Sequence, residues 1–129
     1  MNIDINSLTI GQAKELAALF GGAAREEAKP NPHLGKVCLI RTYASGVHCG
    51  ILIDQQGRQV ELKDARRLWK WQVKDNAGIS LSDIAIHGVG RESKICAIVP
   101  QMTILDAIEI LPLSDDAKTS IVNTEVYKP

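Results

Sequence analysis

The chain has little from which to build a strong surface field or an aromatic core. Its 129 residues carry 15 basic and 15 acidic side chains, and its aromatic residues are one Phe, two Tyr and two Trp. A formal net charge of zero argues against a duplex-DNA binder, which holds its partner by neutralising many phosphates over a broad basic surface. A local basic pocket survives that exclusion. The three cysteines, Cys38, Cys49 and Cys96, are odd in number and far apart, which argues against a disulfide framework and for a reducing cytoplasm. The apolar runs are short, and the first thirty residues lack a basic start followed by a hydrophobic stretch. Neither a membrane span nor a signal peptide is expected.

Chemical motifs are scarce as well. There is no Cys-x-x-Cys or His-Glu-x-x-His pair to set a metal shell, and no Walker or dinucleotide-type glycine spacing. No nucleophile elbow and no paired carboxylates can be read. His48, inside an apolar strand, and His87, at a helix end, are candidate general bases by residue type, but neither has a recognisable nucleophile and orienting carboxylate. The expectation is a non-enzymatic chain without metal or cofactor.

What is present organises into one domain with an extension. Thr9 and Gln12 have capping-box spacing, Ile10, Ala13, Leu16, Ala17 and Phe20 recur at helical spacing, and Gly21-Gly22 supplies a stop. This predicts an amphipathic helix over residues 1–20, followed by a linker over 21–35 that contains Pro30 and Pro32. From residue 36 to 129 the pattern is that of a single compact α+β domain. Val37 to Ile40 and Val47 to Ile53 predict a hairpin across the Tyr43 to Gly46 connection, and the Asp54 to Gly57 turn leads to a third strand in which Val60 and Leu62 alternate with polar residues. Ser80 with Asp83 predicts a second capping box, with Gly88 ending that helix. Ile95 to Val99 and Ala107 to Leu111 are strand candidates, each stopped by a proline, and Ser114 caps a last short helix. Thr124 to Tyr127 is a candidate edge strand. The expected fold class is thus α+β: a mostly antiparallel sheet, a meander of short strands, with two or three short helices and the N-terminal helical extension.

The densest chemistry lies between Val60 and Trp71, which holds both tryptophans beside Arg66 and Arg67. In an extended strand Arg67, Trp69 and Trp71 share one side, and Arg66, Leu68 and Lys70 the other. Indole rings stack on bases and guanidinium forks onto phosphate, so such a face suits a small anionic nucleotide. In so aromatic-poor a chain the two tryptophans equally suit a core. Arg41 at an apolar strand end needs a charged partner, a ligand or solvent; Glu61 across the sheet is one candidate. The ligand-binding candidates are therefore Arg41, His48, Arg66, Arg67, Trp69 and Trp71.

Four ordered blocks, Arg41 to Gly50, Leu62 to Trp71, Leu81 to Gly88 and Ala107 to Ile121, resemble a family of small proteins carried by tailed bacteriophages and known as a domain of unknown function. That family shows an A-R-R-[IL]-W-x-W block after a G-V-H-x-G strand, and the likeness runs from about residue 36 to the end. The N-terminal helix resembles an extension seen in some members. In size, α+β make-up and Arg/Trp content the chain is also similar to phage sponges of the Thoeris anti-defence type. Those proteins are oligomeric and bind cyclic ADP-ribose isomers or cyclic oligonucleotides without cleaving them. The resemblance implies a homo-oligomer in the host cytoplasm that sequesters a nucleotide immune signal, and it transfers no binding residue. The rival expectations are an accessory interaction protein with buried tryptophans, a small histidine-dependent phosphodiesterase, and a single-stranded nucleic-acid binder.

Overall fold

The computed structural model describes residues 31–129; the expected helix over 1–20 and most of the linker over 21–35 lie outside the described residues. The described chain is an α+β fold dominated by a six-stranded antiparallel sheet. Its elements are β1 (Val37–Thr42), β2 (Val47–Gln56), β3 (Gln59–Lys70), a 3-10 turn (Lys74–Asn76), α1 (Leu81–His87), β4 (Lys94–Ile95), β5 (Val99–Ile104), β6 (Ala107–Pro112) and α2 (Asp115–Val122).

β1, β2 and β3 form the expected meander. Gly57 takes φ +60 in the tight turn between β2 and β3, a backbone setting that favours glycine at this hairpin position. The remaining strands do not continue the meander. β5 pairs with β3 and β6 pairs with β1, both antiparallel, and only Leu105 and Asp106 separate β5 from β6. Because β1 and β3 run parallel to each other across β2, β5 and β6 must run in one direction, as a single strand with a kink. That kinked strand joins the two sides of the meander and rolls the sheet into a small barrel. Cys38, Ile40, Leu52, Val60, Leu62, Ala65, Ile104 and Ala107 fill the interior.

The outer face of β1, β2 and β3 carries a second apolar layer, built from Leu39, Cys49 and Leu68 under Leu81, Ile84 and Ile121 of the two helices. α1 opens with a complete capping box between Ser80 and Asp83 and closes at Gly88, φ +90. α2 is capped by the Ser114 hydroxyl, which accepts from the Ala117 N–H, with Asp115 and Asp116 in its first turn. Each such cap contributes about 1 kcal/mol, which matters for helices this short.

A bulge in β3 decides which side chains reach which layer. Cys49 is opposite Arg66 and Ile51 is opposite Lys63, so Asp64 and Ala65 together face the single residue Gly50. Asp64 takes φ 52, the left-handed conformation of such bulges. Before the bulge the even residues Val60 and Leu62 point into the barrel; after it, the even residues Arg66 and Leu68 point to the helices. Arg67 and Trp69 then fall on the barrel side.

Two expected elements differ. The strand predicted over Ile95 to Val99 is broken: β4 ends at Ile95, the Cys96 carbonyl accepts the Arg66 Nε–H at 2.8 Å, and the chain pairs again only from Val99. Thr124 to Tyr127 makes a single parallel bridge, Ile95 to Val126, instead of an edge strand.

Candidate functional site

Arg67 and Trp69 stand two residues apart on one side of β3, about 6.5 Å along the strand. Arg67 is exposed, and Trp69 is 70 % exposed. The reason is local coverage. β5 closes the barrel against β3 only as far as Ala65, which pairs with Val99; beyond it β3 runs on past the barrel, paired with β4 at Leu68 and Lys70. The result is an indole and a guanidinium side by side on rigid backbone, open to solvent.

The other expected partners sit elsewhere. Trp71 lies just past the end of β3 and is half-buried against the helix-side core, so it does not extend the Arg67–Trp69 face. Arg66 is buried, 7 % exposed. Its Nε–H donates to the Cys96 carbonyl and an Nη1–H donates to the Ile121 carbonyl, both at 2.8 Å, tying β3 to the Cys96 segment and to the end of α2. Both bonds lie on the helix side, which takes Arg66 out of the open face. Burial also lowers its pKa from the usual arginine range. Arg41 is exposed on β1, opposite Val47 and Glu109. The Arg41–Glu61 pairing is not formed, because Glu61 lies on β3 beside β5, where its carboxylate accepts from Thr103 Oγ1 and Gln101 Nε2.

His48 is the register partner of Arg67 and is 1 % exposed at the barrel end. Its Nε2 lies 3.2 Å from Ser45 Oγ, while its Nδ1 is buried without a hydrogen-bond partner. Ser45 is held in turn by Thr42: its N–H and its hydroxyl donate to Thr42 Oγ1 at 2.9 and 3.0 Å, and the Thr42 hydroxyl donates to the Gly46 carbonyl at 2.7 Å. Asp106, at the kink between β5 and β6, fastens the same turn by accepting the Ala44 N–H at 2.8 Å. Burial lowers the His48 pKa below 6.5, and the Arg67 guanidinium adds to that effect; the Ser45 contact and Asp106 oppose it. The imidazole is thus neutral at physiological pH, leaving Arg67 as the cation of this corner.

Residues 35–121 match the family model described as Domain of unknown function (DUF6948). The chain belongs to that family. Comparison with curated proteins and with solved structures gives no match.

In this DUF6948 chain the structure adds Thr42, Ser45 and Asp106 to the surroundings of His48, none of them among the candidates expected from the sequence. Asp106 carries no local signal, since it reaches the turn only because the kinked strand closes the barrel. Nucleophilic chemistry has little support here. Burial holds the Cys38 thiol at about 11 and that of Cys49 at about 12, with both well protonated. Among the described residues no group of three His, Cys, Asp or Glu side chains is placed to hold a metal ion, and no helix is long and apolar enough to cross a membrane. A cleft of about 490 Å³ lies between the Lys74–Asn76 turn and Val89–Glu92, and none of the six candidate residues lines it. The Arg67–Trp69 face is a platform, not a cavity.

Proposed function

We propose that the protein is a non-enzymatic phage anti-defence protein that binds and sequesters a small nucleotide immune signal, a cyclic ADP-ribose isomer or a cyclic oligonucleotide. The observation that carries this reading is the exposure of Trp69 beside Arg67. A tryptophan left largely in water in the interior of a strand contributes little to folding, yet it offers a base a rigid stacking surface worth about 1–3 kcal/mol. Arg67 on the same side forks onto a phosphate, and the neutral His48 behind it leaves the charge of the corner to that guanidinium. The resemblance to a tailed-phage family supplies the setting, an infected bacterial cytoplasm. An open platform leaves much of a ligand in water, so tight capture calls for a cover. Assembly of the chain as a homo-oligomer, with a second copy closing over the ligand, provides it.

The Ser45–His48 contact favours one competing reading, a histidine-dependent phosphodiesterase. Two features weigh against it. Both the lowered pKa and the burial of His48 make it a poor base for a solvent-borne substrate, and no carboxylate hydrogen-bonds its Nδ1 to orient the ring. The deciding experiment is calorimetry of the full chain against cyclic ADP-ribose isomers and cyclic dinucleotides, followed by denaturation and chromatography of the ligand. The expected result is micromolar or tighter binding, lost in Trp69→Ala, with the ligand recovered intact. Absence of heat across the panel, or recovery of a cleaved product, overturns the proposal.

A further inference from the structure

At the far end of β3, one residue beyond Trp69, Lys70 is the register partner of Lys94 on β4. Like charges directly opposite each other on an antiparallel pair destabilise it, and local rules of this kind are broken mainly where function requires it. The arrangement is also held in place: the Lys94 ammonium lies 4.8 Å over the centroid of the Tyr127 ring, a cation–π contact that fixes its position at this edge. The register of β3 against β4 shifts between Leu68 and Lys70, so Lys70, expected beside Arg66 and Leu68, falls instead with Lys94 on the face opposite the buried Leu68–Ile95 pair, the side of the exposed Arg67 and Trp69. Arg67 and Lys70 are three residues apart, about 10 Å along the strand. One cationic position therefore lies on either side of a stacking surface.

We propose that this edge is a second phosphate subsite, and that the ligand of the Arg67–Trp69 face is a dinucleotide whose two phosphates are separated by a nucleoside. The inference rests on the proposed nucleotide-binding function and narrows it. The two phosphates of an ADP-ribose isomer share a bridging oxygen and lie much closer together than the two cationic positions on the strand. In a dinucleotide each phosphate is separated from the next by a sugar, so one reaches Arg67 and the other reaches Lys70 and Lys94 while a base stacks on Trp69.

The test uses the full chain and four probes: cyclic diadenylate, ADP-ribose, 3′,5′-cyclic AMP and a ten-residue adenylate strand. Cyclic diadenylate is expected to bind roughly tenfold or more tightly than cyclic AMP, the difference being the second phosphate contact. In the double variant Lys70→Gln, Lys94→Gln that preference disappears, while cyclic AMP affinity is unchanged. The inference falls if the double variant keeps the cyclic diadenylate preference, if ADP-ribose binds as tightly and loses as much in that variant, or if the ten-residue strand outcompetes every small probe. Loss of all binding in Trp69→Ala together with an unaffected double variant overturns the second subsite alone. No binding of any probe to the unmodified chain overturns it together with the proposed function.

Discussion

Arg66 and Arg67 are adjacent in sequence and opposite in fate, and exchanging each for methionine tests the arrangement most directly. Arg66 is 7 % exposed and gives two charge-assisted hydrogen bonds, at 2.8 Å each, to the Cys96 and Ile121 carbonyls. Bonds of this kind contribute about 1.5–3 kcal/mol apiece, roughly 3–6 together. The Nη2 of Arg66 is buried without a partner. Removing that desolvated group returns about 1–3 kcal/mol, and methionine keeps most of the packing volume, so the net loss in Arg66→Met is about 2–4 kcal/mol. For a folded unit of about 100 residues this lowers the melting temperature by roughly 10–25 °C. Arg67→Met removes an exposed side chain and leaves stability within about 0.5 kcal/mol. Its effect falls on the ligand: one lost guanidinium–phosphate contact weakens nucleotide binding roughly 10- to 100-fold. Thermal melts and calorimetry on both variants separate the two roles. Equal drops in melting temperature, or an Arg67→Met variant that binds like the unmodified chain, refute the assignment of the two arginines to opposite sides of β3.

Three further outcomes follow from the same geometry. Gly50→Ala places a Cβ 3.2 Å from Ala65 Cα, Leu62 Cβ and Lys63 O at the bulge, and is expected to cost about 1–3 kcal/mol in urea unfolding; a neutral result means that the two strands are not so closely apposed. Because His48 binds its proton less readily in the folded chain than at the ordinary 6.5, its contribution to stability is complete above pH 6.5 and is lost as the pH falls below it toward the lowered folded value. The urea midpoint should therefore fall between pH 8 and pH 5 more steeply in the unmodified chain than in His48→Gln, and parallel declines contradict the buried neutral imidazole. Acrylamide should quench Trp69 strongly and Trp71 weakly, read in the single variants Trp69→Phe and Trp71→Phe; equal quenching means that the two indoles share one environment.

Legibility in the sequence ended where contacts became distant in the chain. The meander, the Ser80–Asp83 capping box and the Ser114 cap were readable because alternation and capping act over two to four residues. Even the division of β3 into an Arg67–Trp69 side and an Arg66–Leu68 side followed from strand parity. Parity could not say which side meets the barrel interior, because that depends on the extra residue at Asp64–Ala65, and neither residue there is a glycine to announce a bulge. Carried through without the bulge, the alternation of Val60 and Leu62 would have put Arg66 and Leu68 in the barrel and turned Trp69 toward the helices. Nor could parity place Asp106, or show that β5 stops pairing with β3 at Ala65. The exposure of Trp69 is thus the product of two long-range facts, a register shift in one strand and the short reach of another. The proposed stacking role of Trp69 depends on both, whereas Trp71, two residues further on, leaves the strand and is drawn into the helix-side core.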